Sequence, residues 1–453
     1  MKRDIVIIGG GPAGMITAVT ARGSYPDKKV TFIRREDKVL VPCGIPYIFH
    51  TLGSVQKNIA PDKPFIDNNI EIIVDTVINV DTKNKTLKLN SNEEIEYEKL
   101  VFATGSEPYM PTWLKGHELE NVFVIKKNHE YLEEVKKKTD AMQKIMVVGA
   151  GFIGVEVAEE LNKNGKEIYL VEKMDSIIGK AFDSEFVDDI HQSLVASGMN
   201  IITGKGVQEI NGNGKVSSVT LEDGQKIEID AVVLAMGYRP NIELAEKTGL
   251  FIGKNKNIWV DEYMRTSERD VFAVGDCAER MHFITRRPSN TMLASTATSE
   301  ARVAGSNLYS LSTLKSFNGT IAIFSTKVGD ILIGSAGITV SEAKDEGMHI
   351  VDATFAGSDR HPANLPGAGT QKVKLITSKN TGVIIGAQIL GGESSSELIN
   401  VLGYIIQNRM RVDEVFVSQI GTHPLTTAAP TTYPIVKAAE MILKKMKCPK
   451  FED

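Results

Sequence analysis

The sequence predicts an α/β fold: two Rossmann-like nucleotide-binding domains followed by a C-terminal α+β domain. Three observations predict it. At 453 residues the chain is too long for one hydrophobic core and should divide into two or three domains. Two short β-branched runs each lead straight into a G-x-G-x-x-G turn and a helix-like stretch. The last third alternates strand and helix patterns without any phosphate-binding loop.

The first run, Asp4–Ile8, suits a buried parallel strand. It opens into Gly9-x-Gly11-Pro12-Ala13-Gly14, and a helix is expected from there to about Ala21. In such a turn the first glycine allows the tight bend, the second lets a pyrophosphate approach the backbone, and the third lets helix and strand pack closely. The helix start then offers free N–H groups and a positive dipole end to the phosphates. Lys2-Arg3 before an apolar stretch resembles a signal peptide, but Asp4 and the glycines interrupt it where a signal sequence would continue.

The pattern recurs at Lys144–Val148, which runs into Gly149-x-Gly151-Phe152-Ile153-Gly154, with Glu156 to Leu161 as helix. A second strand, Glu167–Val171, ends at Glu172, about 20 positions past the glycines, where an acid binds a ribose 2′-hydroxyl and repels a 2′-phosphate. That favours NADH over NADPH, although Lys173 next door keeps NADPH open. Two sites imply two nucleotides, most simply FAD and NAD(P)H in a redox protein.

Bulk composition narrows the partners. A formal charge of -5, without basic tails or stripes, argues against nucleic acid or an anionic membrane. Lys136-Lys137-Lys138 follows Glu133-Glu134 and reads as a solvated helix face. Nothing reaches the length of a membrane span. Cys43, Cys277 and Cys448 form no C-x-x-C pair, which fits a reducing cytoplasm, and the scattered histidines predict no metal site.

Further motifs resemble those of the pyridine nucleotide-disulfide oxidoreductase family over essentially the whole chain. Val101-Phe102-Ala103-Thr104-Gly105-Ser106-x-Pro108 is similar to the A-T-G segment where the chain leaves the flavin domain, and Gly237-x-Arg239-Pro240-Asn241 to its return. Asp270 to Asp276 resembles the second flavin motif; the resemblance implies that Asp276, beside Gly275, hydrogen-bonds the ribityl chain of FAD. Pro42-Cys43-Gly44-Ile45-Pro46-Tyr47 lacks the C-x4-C of dithiol members and resembles the single-cysteine branch of coenzyme A disulfide reductases, NADH oxidases and NADH peroxidases. In that branch one thiol cycles through a mixed disulfide, persulfide or sulfenic acid.

The residues themselves agree with such a role. Pro42 suits the first turn of a helix, which would place Cys43 near N-terminal donors that lower a thiol pKa. Tyr47, one turn on, is expected on the same face, lining an acceptor pocket. Cys277 reads as a packed neighbour of the flavin site. His423, in Gly421-Thr422-His423-Pro424, is similar to the His-Pro pair of dithiol reductases and is the candidate general acid for a leaving thiol. Gly421 replaces the tyrosine of the coenzyme A branch, and Ala428 stands where the dithiol enzymes carry a supporting glutamate. Pro12 occupies the place of the peroxidase histidine, which counts against peroxide as substrate. Arg34, followed by Arg35 and Glu36, replaces the acid expected after the flavin domain's second strand. Arg22 matches a basic position that can meet coenzyme A phosphates, or simply caps its helix.

The expected layout is nested: a flavin domain at 1–110 and 236–320, a nicotinamide domain at 111–235 between them, and a dimerisation domain at 321–453. The resemblance implies a homodimer. The expected activity passes electrons from NADH through FAD and Cys43 to a small sulfur acceptor, coenzyme A disulfide or polysulfide. The alternatives are an NADH oxidase that reduces oxygen at the flavin and a flavin-binding sensor.

Overall fold

A computed structural model describes residues 2–311 and 316–447, so Cys448 lies outside the described residues. The chain divides into two compact units: 1–171 with 205–281 and 287–320, and 172–204 with 282–286 and 321–453. Residues 172–204, expected within the nicotinamide segment, group with the second unit.

In the first unit, Lys2–Ile8 is the central strand its β-branched residues predict, with Ile5, Val6 and Ile7 fully buried. Val30–Arg34 pairs parallel on one side of it and Glu94–Phe102 on the other, with Glu71–Val74 beyond the former. Val271–Ala273 pairs parallel with Glu94–Phe102 and so carries the second flavin motif to the same sheet end. The helix Pro12–Ser24 packs on Ala294–Ser306, and Phe32 stacks on Phe65 in the core beneath.

A second parallel set runs Glu167–Val171, Lys144–Val148, Ala231–Leu234, Val122–Val124. The two crossings between the nucleotide-binding parts, Ser106–Pro108 and Tyr238–Pro240, pair antiparallel with each other. Tyr109 N–H donates to the Gly237 carbonyl at 2.9 Å and Asn241 N–H to that of Gly105 at 2.9 Å. Both ends of the inserted segment are therefore held as one hinge-like ribbon.

The second unit is built on a five-stranded antiparallel sheet ordered Phe324–Val328, Ile331–Gly337, Ile384–Gly391, Thr370–Ser378, Ile350–Ser358. Of these strands, Ile331–Gly337 and Ile350–Ser358 carry too little alternation to be read beforehand. Helices Leu398–Gln407 and Pro434–Lys447 bury Ile399, Leu402, Ile406, Ala438 and Ile442 against it. Asp183 and Glu185 meet this sheet in a charge cluster, with the buried Lys374 ammonium 2.9 Å from both. Desolvation alone would lower the Lys374 pKa, but these carboxylates more than offset it and the net shift is upward. Among the described residues no helix is long and apolar enough to cross a membrane, and no cluster of three or more acidic, histidine or cysteine residues could hold a metal.

Candidate functional site

The flavin turn is shaped by contact. Gly9 adopts φ 128°, and a Cβ there would stand 2.0 Å from the Ala103 carbonyl oxygen; one on Gly14 would stand 2.1 Å from that of Gly9. A Cβ on Gly11, by contrast, meets nothing within 4 Å. The turn is therefore tight at its back and open where the helix begins, with Gly11 as N-cap and Pro12 and Ala13 in the first turn. Gly149, Gly151 and Gly154 repeat this arrangement, with Gly151 open ahead of Phe152 and Ile153 at the start of Phe152–Asn162. Both helix starts thus fit a dinucleotide pyrophosphate, which needs close backbone approach and free N–H groups.

Arg34 is buried, and its guanidinium meets Asp62 at 2.5 and 2.9 Å, while its Cβ lies against Gly10. The missing acid is thus replaced by a side chain pinned away from solvent by a carboxylate 28 residues on. Arg35 is exposed and holds Glu36 at 2.7 Å. Glu172 directly follows Glu167–Val171, and its Oε1 accepts from the Met174 N–H at 2.9 Å.

At the flavin motif, Gly275 has φ 75° and its N–H donates to the Glu300 carboxylate at 2.8 Å. Glu300 is fully buried and paired with Arg280 at 2.8 Å, and Arg280 also donates to the Gly275 carbonyl. Burial pushes the Glu300 carboxyl above its usual range, against the pull of Arg280. Asp276 accepts from Ser106 Oγ at 2.7 Å and from Lys127 Nζ at 3.3 Å, and Lys127 also donates to Ser106 at 2.9 Å. Thr104 Oγ1 donates to the Asn241 carbonyl at 2.6 Å. Gly105 and Gly237 face each other's strands across the crossing ribbon described above. Lys127, Arg280 and Glu300 carry no motif, so sequence reading missed them; only the position of Lys127, just past a strand that ends at Val124, gave any hint.

The Cys43 segment differs from expectation. It forms two short 3₁₀ turns, Pro42–Gly44 and Pro46–Phe49, rather than one helix, because Pro46 has no N–H with which to continue the ladder. A Cβ on Gly44 would lie 2.0 Å from Asn58 Oδ1, and Asn58 Nδ2 donates to the Val41 carbonyl at 3.0 Å. Asn58 thereby clamps the turn. A single turn supplies little dipole, and the thiol is pushed up, not down: partial desolvation comes first, then Glu156, with Asp276 adding and Lys127 opposing. Cys43 is nonetheless open to solvent, whereas Cys277 is buried with its Sγ 3.3 Å from the Val274 carbonyl. Desolvation, then Glu156, Glu159 and Glu160, hold the Tyr47 phenol protonated well above its ordinary range.

The helix that begins at the second glycine turn grips this segment. Glu160, nearly fully buried, accepts from Thr51 N–H at 2.7 Å and Thr51 Oγ1 at 2.8 Å, and Asn164 Nδ2 donates to the Phe49 carbonyl at 2.9 Å. The helix that starts at the second glycine turn thus bonds through Glu160 to the residues that follow the Cys43 segment.

His423 belongs to the second unit, is exposed, and its Nδ1 accepts from the Leu425 N–H at 3.3 Å, which leaves the neutral ring's proton on Nε2. Arg22 donates to the carbonyls of Asn68, Pro26 and Lys28 at 3.1, 2.6 and 3.0 Å, so backbone occupies its guanidinium.

Models of two families match the chain: the pyridine nucleotide-disulphide oxidoreductase model over residues 3–301 and the dimerisation domain of the same family over 323–433. The chain belongs to the pyridine nucleotide-disulphide oxidoreductase family. It is 32% identical over 97% of its length to the NADH oxidase of Methanocaldococcus jannaschii, covering 99% of that protein. It is 30% identical over 98% of its length to the NAD(P)H coenzyme A polysulfide/persulfide reductase of Pyrococcus horikoshii, covering 99% of it. The solved NAD-dependent persulfide reductase of A. fulgidus superposes with a TM-score of 0.89 at 30% identity, over 99% of this chain and 84% of that one. The chain is thus an NAD(P)H-dependent flavoprotein oxidoreductase with a dimerisation domain.

Proposed function

We propose that the protein reduces a small sulfur acceptor, coenzyme A disulfide or polysulfide, with Cys43 as its single redox-active thiol and as a homodimer. The observation that carries this reading is the solvent-open Cys43, within the electrostatic reach of Lys127 and of Asp276 in the flavin motif, while Cys277 is sealed in the core. Gly9, Gly11, Pro12, Ala13, Gly14, Ala103, Thr104, Gly105, Gly237, Gly275 and Asp276 would hold FAD. Arg34 and Arg35 would flank its adenosine. Gly149, Gly151, Phe152, Ile153, Gly154 and Glu172 would hold NADH, with NADPH as the poorer donor. When bound, FAD accepts hydride from the nicotinamide and supplies the electron pair that reopens a disulfide at Cys43.

The chain's own part is sulfur chemistry. The Cys43 thiolate attacks one acceptor sulfur; the new S–S bond forms as the old one breaks, and the departing thiolate takes a proton. Lys127 favours the attacking anion, and Tyr47 keeps its phenolic proton. Cys43→Ser should retain flavin bleaching by NADH yet lose at least about 100-fold in anaerobic turnover with coenzyme A disulfide or polysulfide. Unchanged turnover in that variant would remove Cys43 from the mechanism.

A second reading, reduction of oxygen at the flavin, is favoured by the full-length similarity to an NADH oxidase. Oxygen consumption that survives Cys43→Ser, with no sulfur-acceptor activity in the parent, would select it.

A further inference from the structure

A cavity of about 570 Å³ lies wholly within the second unit and shares no residue with the glycine turns or the Cys43 segment. Its volume falls in the range of small-molecule sites. Phe283, Ile284, Met348, Val383, Ile385 and Ile406 make the lining largely apolar. Arg286, Arg409 and His349 stand at it, and no Asp or Glu lines it, in a chain whose net charge is -5.

Arg409 occupies a helix end in the left-handed conformation. It follows the helix Leu398–Gln407 at φ 51°; its N–H donates to the Ile406 carbonyl at 3.0 Å and that of Met410 to Ile405 at 3.0 Å. Helix ends of this kind normally take glycine or asparagine, because a larger side chain is strained in the left-handed region. Arg286 has the same backbone sign, φ 58°. Among the described residues the Arg409 guanidinium meets no carboxylate; it lies 5.4 Å from the Phe283 ring centroid. Two arginines in a conformation better suited to glycine thus converge on one apolar cavity, where among the described residues no carboxylate meets Arg409.

We propose that this cavity binds a small organic anion, its apolar or aromatic body on the Phe283–Ile385 surface and its carboxylate, sulfonate or phosphate held by Arg286 and Arg409. Charge-assisted hydrogen bonds from a planar guanidinium suit such groups, and the flat ring of Phe283 suits an aromatic body.

Calorimetric titration of the FAD-loaded, full-length protein with naphthalene-1-sulfonate tests this. A single saturable site per chain is expected, with affinity falling about tenfold or more in the Arg286→Asn/Arg409→Asn double variant. Asparagine accepts the left-handed conformation, so the fold should hold; an unchanged flavin spectrum and Tm check it. Met348→Glu, which adds a carboxylate to the lining, should weaken binding in the same direction. 1-Naphthalenemethanol and sodium sulfate, offering only the body or only the charge, should each bind at least about tenfold more weakly. No saturable binding, or the same affinity in parent and double variant, would overturn the proposal.

Discussion

At both glycine turns the first glycine has positive φ, 128° at Gly9 and 99° at Gly149, and the third would drive a Cβ to 2.1 or 1.8 Å from the first one's carbonyl oxygen. In both, the middle glycine faces open space. The strands that follow end in opposite charges. After the first turn Arg34 is buried against Asp62; after the second Glu172 folds back on the Met174 amide. The flavin turn also has a buried Arg280–Glu300 pair bonded to Gly275 behind it. The comparison teaches that the phosphate-facing turn is set by sterics local to the chain, whereas the ribose end and the rear support depend on what distant segments bring.

The largest effect should come from breaking that rear support. Arg280→Met strips the buried Glu300 of its counterion, which should cost about 3–5 kcal/mol and lower the midpoint of chemical denaturation. A midpoint near the parent's would mean that the pair is dispensable and the two turns are more alike than they look.

Next come the glycines. Gly14→Ala and Gly154→Ala should each destabilise by about 1–3 kcal/mol, because the Cβ meets backbone that cannot yield. Gly11→Ala and Gly151→Ala should leave stability within about 0.5 kcal/mol while weakening FAD and NADH binding respectively. Differential scanning calorimetry with flavin content and NADH titration separates the two classes. Equal loss of stability in all four variants would end the distinction between packed and open glycines.

Glu172→Ala should weaken NADH by about tenfold with little loss for NADPH, since it removes one charge-assisted ribose contact and one repulsion. Steady-state KM values for both donors read this directly, and an unchanged ratio would show that the acid does not discriminate.

The smallest effect concerns the thiol. Cys43 is pushed above the ordinary cysteine range, so its thiolate population, and with it alkylation by iodoacetamide, should rise mainly at alkaline pH. Lys127→Met should move that midpoint further up and Glu156→Gln should move it down, since the lysine favours the anion and the carboxylate opposes it. Rapid alkylation at neutral pH in the parent would contradict the assignment.

Much of this was readable beforehand. Both strand-turn-helix units, the segments near Thr104–Gly105 and Gly237–Asn241 where the chain crosses, and the packing of Cys277 follow from nearest neighbours along the chain. The helix expected at Cys43 was not found, since Pro46 divides it into single turns and Asn58 shapes the first.

What the sequence determined by itself are the features governed by local physics: β-branched runs that must be buried, glycines where a Cβ would strike backbone, and a lone cysteine between prolines. Only the tertiary structure decided the charges around them. Arg34 finds Asp62 across 28 residues, Glu160 holds Thr51 across 109, and Lys127 reaches Asp276 across 149. Such pairs leave no periodicity or spacing to read. Their partners are chosen by where the packed sheets and helices place each side chain, and a buried charge is tolerated only where that placement supplies its counterion.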